Sequence, residues 1–308
     1  MKVSVIIPTY NAEQYLPNLL TALLSQTIKF EILIIDSSST DKTVDIAQSN
    51  NVRIKVIPKS EFDHGGTRTQ AAKMVNADIV VFLTQDALPK DDCCIEQLVK
   101  VFKNERIGAA YGRQTPYTDT HIYGSHLRMF NYPEKSYLRS YKDKEKYGIK
   151  TAFLSDSFAA YRRDSLQKIG WFKNGLINSE DLYAGALLLK QGFQLAYVSE
   201  AKVIHSHGYT LKQEFSRYFD IGIFHQCEPW ITKELGNVSG EGKKYVVSEL
   251  IYIAERKKYF SLFVSIVRNA TKYLGFFLGK KYRYLPKYIL YKLILNQSWC
   301  LNNPESET

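Results

Sequence analysis

Asp86 follows a short apolar run, and its position is the first indication of chemistry in this sequence. Residues 79–83 read IVVFL, which is typical of a fully buried strand, and the chain continues as TQDA. In open α/β sheets ligands bind beyond the carboxyl ends of the strands, so a carboxylate here can meet a metal ion or a phosphate-bearing ligand. The structural alternative is an Asp that merely ends a strand or caps the turn before Pro89.

Two further strand ends carry polar groups that suit a nucleotide. Asp36 ends the second predicted strand, where its carboxylate can accept hydrogen bonds from a base or a ribose, or can simply cap the next helix. After the third strand, residues 64–68 read HGGTR. Paired glycines let a ligand approach the backbone, and the Arg68 guanidinium offers paired donors to a phosphate. A glycine turn with a solvated arginine is the common alternative.

Two adjacent acids supply a candidate general base. Glu180 and Asp181 follow Ser179, a good helix N-cap, and precede the helical run YAGALLLKQG. Acids in a first helical turn are stabilised by the helix dipole by roughly 0.3–1 kcal/mol, which accounts for the pair without catalysis. The functional interpretation is that one carboxylate accepts a proton from an incoming hydroxyl.

Two histidines alternate in a further predicted strand. Residues 201–207 read AKVIHSH, and the period of two places His205 and His207 on one face. They can ligate a divalent metal or be ordinary edge-strand residues. One histidine with carboxylate and diphosphate oxygens suits Mn²⁺ or Mg²⁺ better than a zinc ligand set.

The elements that must position these residues alternate between strand and helix. Apolar runs predict strands at residues 3–8, 31–36, 52–57 and 79–84, and later near 158–161 and 194–198. Helices are predicted at residues 12–26, around 44–47, at 67–76 and at 181–191. Such alternation implies right-handed crossovers and an α/β fold with a mainly parallel central sheet. Residues 113–150 lack strong periodicity, so a functional loop or lid, rich in Tyr, is expected there.

Net charge separates the end of the chain from the rest. The 308 residues carry 41 Lys+Arg and 31 Asp+Glu, yet no acid occurs from residue 256 to residue 304. Polar residues recur there at helical spacing beside apolar ones: Lys257, Ser261, Ser265, Arg268 and Lys272. This predicts an amphipathic helix at an anionic membrane surface or, alternatively, a helix packed on the core with solvated cations. We expect residues 1–240 to form the catalytic domain and 241–308 a basic helical extension.

Missing signals disfavour several classes of protein. No G-x-G-x-x-G marks a dinucleotide-binding oxidoreductase, and no P-loop marks a phosphotransferase. The four cysteines form no C-x-x-C pair, and neither a signal peptide nor a run of about 18 apolar residues is found. We expect a protein of the cytosolic side, with its basic tail on an anionic membrane surface. Nucleic acid is not an expected partner, because the cations of the tail are interleaved with large aliphatic residues.

Six segments together resemble family 2 glycosyltransferases of the GT-A fold. In chain order they are VSVIIPTYN, EILIIDSSSTDKT, FDHGGTR, FLTQDA, SEDLYAG and AKVIHSH. HGGTR followed by LTQDALP is most similar to bacterial rhamnosyltransferases of surface-polysaccharide synthesis, such as that of O-antigen or capsule. The resemblance implies an inverting transfer of a sugar, with dTDP-rhamnose as the expected donor. The implied acceptor is a saccharide or a polyprenyl-linked glycan.

The same resemblance implies roles for individual residues. The nucleotide-sugar donor is expected to contact Thr9, Tyr10, Asn11, Asp36, Arg68, Gln85 and Asp86. Asp86 matches the last acid of the family's metal-binding D-x-D motif, whereas Thr84 replaces the first. A divalent cation, Mg²⁺ or Mn²⁺, is therefore expected at Asp86 with His205 or His207. Asp181 is the expected base, with Glu180 as the other candidate.

Two other functions remain open from the sequence. A sugar nucleotidyltransferase usually has a Gly-rich, Arg-bearing loop after its first strand, and PTYNAEQY at residues 8–15 is not such a loop. A non-catalytic, membrane-associated protein that binds a nucleotide sugar is favoured by Thr84 in place of an acid.

Overall fold

The elements of secondary structure are taken from a computed structural model, which describes residues 1–237, 240–297 and 299. Strands β1 to β9 span Val3–Thr9, Glu31–Asp36, Arg53–Val56, Ile79–Leu83, Leu88–Pro89, Ile107–Thr115, Tyr137–Arg139, Phe158–Arg162 and Gln194–Ile204. Helices α1 to α7 span Leu16–Leu24, Thr43–Ser49, His64–Met74, Cys94–Val99, Ile122–Asn131, Lys144–Tyr147 and Arg163–Lys168. Helices α8 to α13 span Glu180–Lys190, Leu211–Cys227, Pro229–Leu235, Glu241–Glu255, Tyr259–Gly279 and Lys287–Leu293.

The strands form one sheet in the order β3-β2-β1-β4-β8-β6-β9-β5, with β7 also paired to β9. β1 is parallel to β2 and β4, and β6 is parallel to β9, whereas β8 lies antiparallel between β4 and β6. The strand direction reverses from β4 to β8 and again from β8 to β6, and β9 is parallel to β6. Strand β9 therefore runs the same way as β1, β2 and β4. Their carboxyl ends therefore share one edge of the sheet. The predicted α/β class is confirmed.

Both faces of the sheet are covered, which explains the continuous apolar runs. Along β4, Val80 and Phe82 face one apolar layer, and Val81 and Leu83 face the other. The leucines that predicted the first helix are buried in the second layer: Leu16, Leu19, Leu20 and Leu23.

Two predicted segments differ from the observed ones. The strands expected at 194–198 and 201–207 are one strand, β9, and its register against β6 shifts between Gly112 and Arg113. His205 and His207 consequently lie just beyond its end. Residues 113–150 are not a loop, because the end of β6, helix α5 and strand β7 all lie within them.

Helix α3 begins earlier than predicted, within HGGTR. Asp63 caps it by accepting a hydrogen bond from the Gly66 amide at 2.6 Å. A Cβ on Gly65 would lie 2.1 Å from the carbonyl oxygen of Lys173. This glycine therefore admits another part of the chain, and the expectation that it admits a ligand is wrong.

The polar stripe predicted for α12 faces inward. Arg268 Nη2 and Lys272 Nζ lie 2.8 and 3.5 Å from the same oxygen, Oε1 of Glu214 on α9, and all three side chains are buried. The expectation that these two cations contact solvent or a membrane is wrong, because Glu214 provides a buried partner. The other side of the helix, called here the apolar face of α12, is exposed and consists of Phe260, Phe263, Ile266, Val267, Tyr273, Leu274 and Phe277.

Helices α9 and α12 meet backbone to backbone. A Cβ on Gly275 would lie 2.5 Å from the carbonyl oxygen of Phe215, and one on Gly279 would lie 2.0 Å from that of Phe219. The extension expected after residue 240 is thus joined closely to α9, and the boundary itself stays a prediction. Among the described helices, none is long and apolar enough to cross a membrane.

Candidate active site

The turn after β1 is held by the end of β2. Thr9 Oγ1 donates to Asp36 Oδ1 at 2.9 Å, and the fully buried Asp36 also accepts the Ser39 amide at 2.8 Å. Asn11 has a φ of 48°, an uncommon conformation for a residue other than Gly, and its side-chain oxygen accepts the Thr40 amide at 2.9 Å. The buried Asp36 carboxylate thus holds the turn after β1 in place by accepting these hydrogen bonds.

Gln85 connects this turn to the end of β4. Its side-chain oxygen accepts the Tyr10 amide at 2.9 Å, and its amide donates to the Tyr10 carbonyl at 3.2 Å. The Tyr10 ring is 39% exposed, and its hydroxyl accepts a hydrogen bond from Lys59 Nζ at 2.9 Å. The sequence-predicted residues Thr9, Tyr10, Asn11, Asp36 and Gln85 therefore lie together at one edge of the sheet.

Asp86 lies against both predicted histidines. Its Oδ1 is 3.4 Å from His205 Nε2, and its Oδ2 is 3.7 Å from His207 Nδ1. One ligand atom from each of the three residues falls within 4.8 Å of the others. Asp86 lies shortly after β4 and 118 residues before Ile204, where β9 ends and His205 follows. The two segments meet because β4 and β9 end at the same edge of the sheet.

Gln114, which the sequence analysis missed, orients His205. The His205 Nδ1 atom lies 2.8 Å from the side-chain oxygen of Gln114, which also accepts a hydrogen bond from Arg128 Nη1 at 2.6 Å. An amide oxygen only accepts, so Nδ1 carries the proton and the lone pair of Nε2 faces Asp86. A metal-binding histidine is usually oriented in this way by a second partner.

The ionisation of these three groups suits a divalent cation. Burial lowers the pKa of His205, and burial together with His205 lowers the pKa of His207 to about 4. Burial acts to raise the pKa of Asp86, but in acid solution, where the imidazoles are protonated, the hydrogen bond and charge of His205 outweigh burial and hold that pKa below its ordinary value. At neutral pH the cluster offers two imidazole lone pairs and one carboxylate, a donor set that fits a divalent metal.

The Arg68 guanidinium is engaged by carboxylates. Its Nη1 lies 2.9 Å from Glu180 Oε1 and its Nε 3.2 Å from Asp156 Oδ2, with the Arg68 side chain only 6% exposed. Asp156, also missed from the sequence, accepts the Tyr161 hydroxyl at 2.6 Å. Arg68 thus positions Glu180 and is not directed at a solvent-accessible phosphate site.

Glu180 and Asp181 have opposite electrostatic settings. Burial acts to raise the pKa of Glu180, yet the Arg68 charge lowers it. Burial and the negative charge of Glu180 raise the pKa of Asp181 to about 6. Ser179 does occupy the N-cap position, but its φ is 63° and its hydroxyl donates to Asn178 at 2.8 Å rather than capping α8.

Asp181 faces a cavity of about 390 Å³ that also contains both histidines. Helix α5 forms part of the wall with Leu127 and Arg128. Arg217 of α9 lines the cavity as well. The sequence offered no signal for Arg217, because it lies in an ordinary amphipathic helix.

Comparison with known proteins places this arrangement in a family. Residues 4–170 match the family described as glycosyl transferase family 2. The chain is 43% identical over 289 residues to the O-antigen chain rhamnosyltransferase RfbN of Salmonella typhimurium, covering 93% of this chain and 92% of that protein. It is 41% identical to the O-antigen chain rhamnosyltransferase WbaN of Salmonella anatum, covering 92% and 90%.

Solved structures agree on the fold. The mannosyltransferase PcManGT of Pyrobaculum calidifontis, in complex with GDP-Man and Mn²⁺, superposes with a TM-score of 0.57 at 15% identity, covering 97% of this chain and 85% of that one. TarS of S. aureus, residues 1–349, gives a TM-score of 0.53 at 16% identity, covering 93% of each. These likenesses, with the family match, confirm the predicted GT-A fold. The chain belongs to glycosyl transferase family 2 and is a glycosyltransferase.

Proposed function

We propose that this glycosyltransferase is an inverting rhamnosyltransferase of bacterial surface-polysaccharide synthesis, with dTDP-rhamnose as donor. Its acceptor is a saccharide or a polyprenyl-linked glycan. The near-full-length similarity to two O-antigen chain rhamnosyltransferases supports the donated sugar and the pathway class. The observation that carries the chemistry is that Asp181 lines one cavity with His205 and His207, the two histidines that cluster with Asp86.

The proposed reaction is a single displacement at the anomeric carbon. Asp181, ionised above its raised pKa, accepts the proton of an acceptor hydroxyl as that oxygen forms a bond to the anomeric carbon. The bond from that carbon to the donor's phosphate oxygen breaks, and the nucleoside diphosphate leaves. Attack opposite the leaving group inverts the anomeric configuration. Glu180 is the weaker base of the two, because the charge of Arg68 lowers its pKa.

Donor binding is assigned to the edge of the sheet formed by Thr9, Tyr10, Asn11, Asp36, Gln85 and Asp86. The exposed Tyr10 ring is available to the nucleotide, and Asp36 keeps the turn in place. Asp86, His205 and His207 would hold Mg²⁺ or Mn²⁺, which would supply positive charge beside the leaving diphosphate. Arg68, first expected to contact the donor, is assigned a positioning role toward Glu180.

Membrane attachment is proposed through the apolar face of α12. Phe260, Phe263 and Tyr273 are each more than 60% exposed, which is unusual for large apolar side chains so close together. Exposed lysines lie at both ends of this helix: Lys257, Lys258, Lys280 and Lys281. An apolar face flanked by cations matches an anionic bilayer surface, so we place the enzyme on the cytoplasmic face of the inner membrane.

The direct test is nucleoside diphosphate release from a panel of nucleotide sugars with Mg²⁺ or Mn²⁺ and a bacterial lipid extract as a source of acceptors. Release with dTDP-rhamnose alone, lost in Asp181→Asn, is the expected result. Release with a different sugar nucleotide would overturn the donor assignment. Donor binding without release in the presence of any acceptor would favour the non-catalytic alternative.

A further inference from the structure

A second cavity lies beside the active site, between α5, α9, α11 and α12. Its volume is about 470 Å³. Apolar and aromatic side chains dominate its wall, among them Phe130 of α5, Val246 of α11 and Phe276 of α12. The Phe130 ring meets the Tyr245 ring edge-on at a centroid distance of 5.2 Å. A ligand here is offered chiefly apolar contacts.

Both lysines in this wall have an acidic partner. Lys150 forms an ion pair with Glu241, both in the wall, and Lys272 Nζ lies 3.5 Å from Glu214 Oε1. Because each lysine already has an acidic partner, neither is free to bind an anionic group of an occupant. A neutral, apolar chain is the chemistry that fits it.

The cavity adjoins the active-site cavity on one side and reaches the protein surface on the other. Five residues line both cavities: Leu127, Asn131, Tyr218, Ile221 and Lys272. At the other end Tyr273 lines the cavity and is 72% exposed. It stacks on Phe277 at 6.5 Å, within the apolar face of α12. An apolar path therefore leads from that face to the neighbourhood of Asp181.

Charge in the active-site cavity complements this path. Arg128 and Arg217 line it, and within the described part of the chain neither has a carboxylate within 4.0 Å. Arg128 Nη1 donates to Gln114, and Arg217 Nη1 donates to Tyr209. No carboxylate among the described residues neutralises either guanidinium, however, so both can attract an anion. The lysines of the second cavity, by contrast, already have acidic partners. The two cavities together match a molecule with an anionic group between a sugar and a long apolar chain.

We propose that the second cavity binds the first isoprenoid units of a polyprenyl diphosphate-linked acceptor, whose diphosphate lies toward Arg128 and Arg217. This rests on the proposed function and specifies its acceptor as lipid-linked. The lipid chain enters from the membrane along the apolar face of α12, so the acceptor sugar reaches Asp181 while the distal part of the chain stays in the bilayer.

The test fills the cavity and measures binding without turnover. In Val246→Trp a bulky ring occupies the cavity, whereas Val247→Trp places the same ring on the neighbouring residue, which is 46% exposed and does not line it. Radiolabelled farnesyl diphosphate is the probe. We expect Val246→Trp to weaken its binding at least tenfold and Val247→Trp to leave it unchanged. Equal affinity of the two variants would overturn the proposal.

A second variant that fills the cavity controls for the case in which Val246→Trp does not fold. Gly242 also lines the cavity, and a Cβ there meets no heavy atom within 4 Å, so Gly242→Trp has room to fold. It is expected to weaken probe binding like Val246→Trp. Unlabelled farnesol is expected to compete with the probe. Competition by inorganic diphosphate but not by farnesol would show that only the anionic group is recognised, and would overturn the proposal.

Turnover then separates this proposal from the proposed function. With a polyprenyl diphosphate-linked acceptor, Val246→Trp is expected to raise KM about tenfold or more relative to Val247→Trp. Nucleotide release to a water-soluble saccharide acceptor is expected to stay equal in the two. If both variants transfer the sugar to the lipid-linked acceptor with the same KM, the proposed role of the cavity is refuted and the proposed function stands. If Val246→Trp weakens the binding of farnesyl diphosphate but no sugar nucleotide releases its nucleoside diphosphate, the proposed function is refuted and the proposed role of the cavity stands.

Discussion

Arg68 Nη1 lies 2.9 Å from Glu180 Oε1, and both side chains are less than a tenth exposed. A buried guanidinium favours the ionised form of its partner, so Glu180 is a weak proton acceptor. Within the described chain, no cation lies within ion-pair distance of the neighbouring Asp181, whose pKa is raised to about 6 by burial and by Glu180. The ion pair therefore separates Asp181, the base expected from the sequence, from Glu180, the other candidate.

Asp181→Asn should remove glycosyl transfer while leaving donor binding nearly intact. The amide cannot accept the proton of the acceptor hydroxyl, and loss of a general base typically costs about 10²–10⁴-fold in rate. Initial rates of nucleoside diphosphate release and donor titration by calorimetry measure the two effects. Asp164→Asn, an exposed acid on α7, is the control and should behave as wild type. Undiminished turnover by Asp181→Asn would exclude this residue as the base.

The pH dependence of kcat/KM should report the pKa of Asp181. The base must be ionised to act, so activity should rise as pH increases through about 6 and level off above it. Because the charge of Glu180 helps to raise that pKa, Glu180→Gln should move the midpoint to lower pH. A rate profile is the measurement, with thermal unfolding recorded to exclude loss of folded protein. A midpoint that Glu180→Gln leaves in place would contradict this electrostatic coupling.

Metal affinity should depend on Gln114 as well as on the ligands. Asp86→Asn removes the carboxylate and should largely abolish Mn²⁺ binding. Gln114→Leu removes the acceptor that orients His205 and should weaken Mn²⁺ binding by about 10–100-fold. Titration of Mn²⁺ followed by electron paramagnetic resonance measures both without turnover. Asp91→Asn, an exposed acid outside the cluster, is the matched control. Unchanged affinity in both test variants would place the cation elsewhere.

The sequence predicted the acids at strand ends because parallel strands bring their carboxyl ends to one edge. Asp36, Asp86 and His205 each follow an apolar run, so their meeting required only the α/β pattern. Gln114 and Asp156 had no comparable signal. Gln114 contacts His205 across 91 residues of sequence, and that contact depends on the pairing of β6 with β9.

The orientation of α12 was not predictable either. Periodicity shows which residues share a face of a helix but not which face is buried. Glu214 decides the matter, since a carboxylate at this position of α9 makes the polar side of α12 the inner one. Only the tertiary pairing of α9 with α12 reveals this, and it leaves the apolar side exposed.

Substitution of the apolar face of α12 should weaken membrane binding. Phe260 and Phe263 are 81% and 67% exposed, so Phe260→Ser with Phe263→Ser removes little from the core. Each phenyl group buried in a bilayer contributes roughly 1.5–3 kcal/mol, or about tenfold or more in partitioning. Co-sedimentation with vesicles of anionic phospholipid measures the change. Leu24→Ser, 62% exposed on α1, is the control. Equal co-sedimentation of double variant and control would show that this face does not contact lipid.

The contact between α9 and α12 should make Gly279 intolerant of a methyl group. A Cβ there would lie 2.0 Å from the carbonyl oxygen of Phe219, a backbone atom that cannot rotate away. Gly279→Ala must therefore push the helices apart, and such overpacking typically costs about 1–3 kcal/mol. Gly242→Ala meets nothing within 4 Å and gains helix propensity, so it should leave the free energy of unfolding unchanged or raise it. Thermal and urea unfolding of the two variants measure the difference. Equal stability would mean that the helices separate at little cost and that the extension is only loosely joined to α9.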